Sequence, residues 1–389
     1  MATNPKVAIA GVGEARGGRA TGKTTVQLYA EAFLDLLGDC PIDPASIDGV
    51  LTSSPDAEPH HMFSTWLTEY LGLRPKFTSA VQMGGATPHS NMALAAALVE
   101  SGRCGAVMVA DGDNRATKFS RKDKIQAMSS QVGHLSSIEP PHEFDGPYGP
   151  TAPALYGMMA TRHMYEYGST PEQFARIAVA FRAHGALNER AQLRKPVTVE
   201  DVLASPMIAW PLHRDECALI SDWGTAILVT TPEYASELRR DPVYLLGLGQ
   251  AHQGYNPYQA PSITSFPISE SADDAFAAAG ISRDEVDVLE LYDSFTSTAM
   301  VTLENMGFCG AGEGGAFVEA GYIDLGGSLP TNTHGGLLSY NGGHGHFIVE
   351  ATRQLRGECG ERQVAGAKIA VSQGTAALAS SSITLVLGT

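Results

Sequence analysis

The 389-residue sequence predicts an α/β protein made of two copies of one unit, on three observations. The chain opens with a strand followed by a helix, and a helix–turn–strand pattern occurs in both halves. A glycine-led approach to a buried strand, ending in small residues, also occurs in both halves. An alternating α/β chain with internal echoes at this distance is most economically read as a duplication.

Residues 6–12 (KVAIAGV) predict a short buried strand, and 25–37 (TVQLYAEAFLDLL) predict a helix from the spacing of Val26, Leu28, Phe33, Leu34 and Leu37. Asp43 is placed to cap the turn that leads into a strand from Ile47 to Leu51. In the second half DDAFAAAG gives a helix stopped at Gly280, ISRDE an acidic turn, and VDVLELY a strand. The second echo pairs GRCGAVMVADGD (102–113) with GAKIAVSQGTAAL (366–378). These echoes place the halves at 1–240 and 241–389. Residues 114–211 match neither. They contain an irregular Pro/Gly stretch (PPHEFDGPYGPTAPALYG) and two helices, one stopped by Gly168 and one opened by Thr170 with Glu172 or Gln173. This segment predicts a lid inserted into the first half, since long irregular insertions tend to be functional.

Hydrophobic residues make up 43% and charged ones 17%, enough apolar material for large cores in a chain of this length. The net charge of −16, with 26 dispersed Lys and Arg, leaves no footprint for a nucleic-acid backbone. Five widely spaced cysteines without a CxxC pair fit a reducing cytoplasm better than a disulfide framework or a zinc ribbon. No run of about 18 apolar residues predicts a membrane span, and no signal peptide is expected.

Two motifs invite a nucleotide-binding reading. Residues 17–24 (GGRATGKT) match the phosphate-loop pattern, but they do not leave the first strand directly, so a surface turn before a capping threonine is expected. Gly11, Gly13 and Gly17 miss the dinucleotide fingerprint by one residue and lack its acidic partner. His334, His344 and His346 have no second ligand cluster, so no metal site is expected.

The chemistry is expected at three glycine-rich strand ends and helix starts. Tyr292 and Asp293 close the strand VDVLELY just before a helix, where α/β proteins hold reacting groups. The plainer reading is a buried tyrosine and a capping aspartate. NTHGGLLSYNGGHGH carries Asn332, His334, Gly335, Gly336, Ser339, Tyr340 and His344, in a loop able to bring backbone close to a ligand and aim N–H groups at an oxyanion. Gly84 and Gly85 start an Ala/Leu-rich helix with an anion-friendly N-terminus.

Taken together, these segments resemble thiolases over essentially the whole chain. Where thiolases carry a nucleophilic cysteine at the start of the buried helix, MGGATP has Gly84 and Gly85. The His-Asp-Cys-Phe motif of the sterol-carrier type is matched by Tyr292-Asp293-Ser294-Phe295, and the closing C-x-G motif by Ser372-Gln373-Gly374. An ungapped register of the glycine-rich loop puts Gly342 where the family's histidine stands and His344 two residues later. The sequence is most similar to thiolase-like lipid-transfer proteins, including the aldolases that cleave acyl-CoA side chains of steroids. The resemblance implies a duplicated five-layered αβαβα fold, a homodimer, a coenzyme A thioester as substrate and no permanently bound cofactor. It also implies a small partner with a zinc ribbon and an OB-fold.

The expected reaction is retro-aldol cleavage of a β-hydroxyacyl-CoA. Tyr292 would act as base, Asp293 would orient it, His344 or Tyr340 would return the proton, and Gly84, Gly85, Asn332, His334, Gly335, Gly336 and Ser339 would hold oxyanion and substrate. The alternatives are an acyltransferase acting on β-ketoacyl-CoA and a carrier without chemistry.

Overall fold

The computed structural model describes residues 5–119, 151–238, 241–254 and 260–389. In the first half β1 (Ala8–Glu14) leads to α1 (Thr25–Asp39), then β2 (Gly49–Ser53), α2 (Phe63–Tyr70), β3 (Phe77–Val81), α3 (Thr87–Glu100) and β4 (Ala106–Asn114). After α4 (Arg115–Lys118) come α5 (Ala152–Tyr167), α6 (Pro171–Ala186), α7 (Val199–Ala204) and a ribbon of β5 (Met207–Ala209) and β6 (Leu212–His213). The half closes with β7 (Asp222–Thr230) and α8 (Pro232–Leu238).

The second half runs β8 (Val243–His252), α9 (Ile268–Ala279), β9 (Val288–Leu291), α10 (Thr296–Asn305), α11 (Gly314–Glu319), α12 (Gly336–Ser339), α13 (His346–Arg356), β10 (Ile369–Ala376) and β11 (Ser381–Gly388).

Nine strands form one mixed sheet in the order β3-β2-β4-β7-β1-β8-β11-β10-β9. Read outward from the β1–β8 seam, β1-β7-β4-β2 and β8-β11-β10-β9 have the same sequence of antiparallel, antiparallel and parallel pairs. The two echoes in the sequence occupy equivalent places, for β2 matches β9 and β4 matches β10. Helices α3 and α13 lie between the halves. α3 touches β4 and β2 on one side and β10 and β11 on the other, while α13 touches β10 and β9 as well as β1 and β7. Both are buried over most of their length because each meets two sheet faces. α1 and α9 cover the outer faces.

Local signals explain most element ends. Thr24 caps α1 in a reciprocal box with Gln27, and Gly168 and Gly280 stop α5 and α9 in the left-handed conformation. Thr170 and Gln173 form the capping box that opens α6. In the GGRATGKT turn Lys23 Nζ is held by Glu31 at 2.7 Å and by the Arg16 carbonyl at 2.9 Å. Gly13 serves helix packing, because a Cβ there would sit 2.2 Å from the Ala32 carbonyl of α1.

The 114–211 segment departs from the expectation of a lid on its own half. Its buried Tyr156, Met159, Phe174 and Phe181 join one core with Phe295, Met300 and Leu303 of the second half. Burying such side chains contributes roughly 1.5–3 kcal/mol each, and α10 offers the apolar face that receives them. Most of the Pro/Gly stretch, residues 140–150, lies outside the described residues. Among the described residues no helix is long and apolar enough to cross a membrane.

Candidate active site

Tyr292 follows β9, and the parallel pairing of Leu291 with Gln373 sets it level with the end of β10. Its backbone N–H points at Gln373 Oε1, 3.4 Å away. The ring lies over the turn that begins α3. A Cβ on Gly85 would stand 2.3 Å from Tyr292 Cε2, 2.6 Å from its Cζ and 2.6 Å from the Thr375 carbonyl oxygen. The phenol therefore occupies the space a side chain at Gly85 would need. Gly84, with φ +51°, is the exposed residue of the same turn.

Across the ring stands His344, its centroid 5.6 Å from that of Tyr292. Trp223 also packs edge-on against the imidazole, at 5.8 Å, and is fixed by its Nε1–H, which donates to Asp111 Oδ2 at 2.9 Å. The Arg115 guanidinium lies 5.2 Å over Trp223 and pairs with Asp113 and Asp56. His344, and not Gly342, is thus the loop residue that meets the phenol. Gly342 donates its N–H to Ser221 Oγ at 3.0 Å instead.

Burial sets the protonation states. It pushes the His344 imidazole down to about 4, against the opposing pull of Asp111, so the ring is neutral at pH 7. It raises the Tyr292 phenol above its ordinary value, with Tyr156 adding to the rise and Arg115 opposing it. This is the opposite of the lowering that the role of base requires, and the phenol is protonated at rest.

The other expected residues are engaged within the protein. Asp293, fully buried, accepts from Leu337 N–H at 2.8 Å and Leu338 N–H at 3.4 Å, so it caps α12 and orients the loop. Burial pushes its carboxyl up to about 8. The Asn332 amide pairs with both backbone groups of Leu291, at 2.8 and 2.9 Å, which its left-handed φ of +50° permits. Ser339 accepts from Arg182 Nε at 3.0 Å, and the Gly335 N–H is taken by the Asn332 carbonyl. Gly336 must be a glycine because a Cβ would collide with Asp293 Oδ2 at 2.1 Å.

His334 Nδ1 lies 2.8 Å from Glu290 Oε2, and Tyr340 donates its hydroxyl to Glu14 Oε1 at 3.1 Å. Asn332, Gly335, Gly336 and Ser339 therefore build the loop, with the Asn332 amide and the Gly335 N–H engaged within the protein. His334 pairs with Glu290, His346 with Glu14, and His344 packs on Trp223, and among the described residues no three potential ligands converge on a metal position.

Sequence reasoning missed His89. It stands on α3, fully buried, with Nε2 2.8 Å from Ser372 Oγ of β10, and burial and His344 push it down to about 3. Its Nδ1 has no hydrogen-bond partner among the described residues, which favours the tautomer with the proton on Nε2. The only sequence signal was a histidine one turn into an otherwise Ala/Leu-rich helix.

This geometry defines an α/β protein of two repeated halves whose site pairs a phenol with a neutral imidazole and has no nucleophile at the start of the buried helix. The family model "Thiolase C-terminal domain-like" matches residues 249–389. A steroid side-chain-cleaving aldolase of Thermomonospora curvata is 33% identical over 364 residues, covering 90% of each chain. An acetyl-CoA acetyltransferase of Methanothermobacter thermautotrophicus is 30% identical over 379 residues, covering 94% of this chain and 95% of its own. The solved Ltp2-ChsH2(DUF35) aldolase superposes with a TM-score of 0.86 at 29% identity, over 98% of this chain and 97% of the other. The chain belongs to the thiolase superfamily, in its thiolase-like lipid-transfer-protein branch.

Proposed function

We propose that this protein cleaves the Cα–Cβ bond of a β-hydroxyacyl-CoA by retro-aldol chemistry. The observation that carries the proposal is that Tyr292 fills the space next to Gly85, where a nucleophilic side chain would otherwise stand. Without a thiolate there is no covalent acyl carrier. Cys217 is buried and Cys309 largely so, and burial pushes both thiols up to about 12, so neither replaces it.

In the proposed reaction the neutral His344 takes the β-hydroxyl proton. The Cα–Cβ electron pair passes into the thioester enolate as the carbonyl product forms. The Tyr292 phenol then gives its proton to the α-carbon, and the imidazolium returns one to the phenolate. Asp293 acts by holding the loop, and Tyr340 by anchoring it. The N–H groups of the Gly84–Gly85 turn, at the positive end of α3, receive the thioester oxyanion. The working assembly in this proposal is a homodimer of the whole chain, each copy made of the halves 1–240 and 241–389, acting in the cytoplasm with a small zinc-ribbon/OB-fold partner. The likeness to the Ltp2-ChsH2(DUF35) aldolase supports that partner.

The similarity to an acetyl-CoA acetyltransferase favours a second reading, thiolytic chemistry on β-ketoacyl-CoA. Incubating the protein, with and without its partner, with panels of β-hydroxyacyl-CoA and β-ketoacyl-CoA separates the two by mass spectrometry. A ketone or aldehyde plus a shorter acyl-CoA, lost in Tyr292→Phe, is the expected result. Consumption of β-ketoacyl-CoA together with free CoA sinks the lyase reading, and unchanged thioesters throughout leave a carrier.

A further inference from the structure

We infer that Glu14, at the end of β1, is a positioning residue that holds His344 at the reaction centre from the opposite half of the molecule. The inference rests on the proposed role of His344. Glu14 is buried and its carboxylate has four partners. Oε1 accepts from Tyr340 Oη at 3.1 Å and His346 Nδ1 at 2.6 Å, and Oε2 accepts from Arg190 Nη1 at 2.9 Å and Arg353 Nη1 at 2.5 Å.

Tyr340 and His346 bracket the five-residue segment 341–345 that carries His344. One carboxylate of the first half therefore fixes both ends of that loop. The ring of Tyr340 also packs edge-on against His346 at 4.9 Å and His334 at 5.2 Å, so a shift at Glu14 is passed to the whole loop. The loop is also held by Gln192 N–H to the Tyr340 carbonyl at 3.0 Å, by Gly342 N–H to Ser221 Oγ and by the packing of His344 against Trp223 and Tyr292. Those contacts set its path, and Glu14 sets its ends. A carboxylate suits the task because two guanidinium groups compensate its burial while its other oxygen stays free for the two loop donors.

The test uses Glu14→Gln in the full chain, with Tyr340→Phe and His346→Asn as milder variants that each cut one tether. The first readout needs no substrate. Ring ¹⁵N–¹H spectra, with the His344 signal assigned by its loss in His344→Gln, are expected to shift or split for His344 in all three variants. An unmoved His344 signal overturns the inference. The second readout is kinetic. A displacement on the order of 1 Å costs about a hundredfold in rate, so Glu14→Gln is expected to lower kcat by about that factor with KM changed less than about threefold. In a His344→Gln background the same substitution is expected to cost less than about twofold further, because the residue it acts through is gone. A loss of similar size in both backgrounds overturns the inference. Should no β-hydroxyacyl-CoA be cleaved, the functional proposal fails by itself, and the spectra alone decide whether Glu14 positions His344.

Discussion

Replacing Gly85 by alanine adds one methyl group at the point where the two halves meet around Tyr292. The new carbon would stand 2.3 Å from Cε2 and 2.6 Å from Cζ of that ring, where ordinary contacts begin at 3.4 Å. The phenol would have to withdraw by roughly 1 Å, and it cannot all be done by the ring, because the Thr375 carbonyl also lies 2.6 Å from the methyl and belongs to β10. Overpacking of this kind destabilises by about 1–3 kcal/mol, and a reacting group displaced by 1 Å loses about a hundredfold in rate. Urea denaturation and steady-state cleavage measure the two effects. Truncating the ring in Gly85→Ala/Tyr292→Ala removes one collision and leaves the other, so the double variant is expected to be destabilised by less than the sum of the singles. If Gly85→Ala keeps its stability within about 0.5 kcal/mol and its rate within twofold, Tyr292 does not occupy the space beside Gly85, and the argument against a nucleophile there falls with it.

Other outcomes follow from the same geometry. The cleavage rate is expected to fall as pH drops through about 4, where His344 gains its proton, and a pH–rate profile in which His344→Gln loses that limb checks it. The Asp293 carboxyl is pushed above its unfolded value to about 8, so the folded state binds the extra proton. The stability it contributes is complete below about pH 4 and is lost as pH rises towards 8. The urea midpoint of the wild type is therefore expected to decline relative to that of Asp293→Asn between pH 5 and 9, and parallel curves would contradict this. Asp222, fully buried, accepts from Thr21 N–H and Oγ1 and from Thr117 N–H and Oγ1 at 2.5–2.8 Å, so Asp222→Ala is expected to cost about 3–5 kcal/mol by denaturant titration. Ser372→Ala leaves the buried His89 Nε2–H without its acceptor and is expected to cost about 1–3 kcal/mol in the same assay.

Local chemistry in the sequence was enough to reveal much of the fold. Thr24, Thr170, Gly168 and Gly280 mark helix ends because capping and the left-handed conformation depend on a few adjacent residues. The two echoes became equivalent strands because a repeated pattern of apolar and small residues imposes the same burial twice. The Tyr292–Asp293 pair was legible as residue type at a strand end, and Gly84–Gly85 became a missing cysteine through the resemblance to thiolases.

What only the tertiary structure decided were relations between distant segments. No local pattern says that α5 and α6 pack on α10 of the other half, because their apolar faces would suit any complementary partner. His89 meets Ser372 across 283 positions of sequence, and Glu14 meets His346 across 332. The protonation states were hidden for the same reason. A tyrosine and a histidine have ordinary values as isolated residues, and it is burial in the packed interior that keeps Tyr292 protonated and His344 neutral. Residue identity alone fixes which reactive groups the chain carries. Which nitrogen faces which oxygen depends on how segments far apart in the chain pack against one another, through one sheet and shared cores.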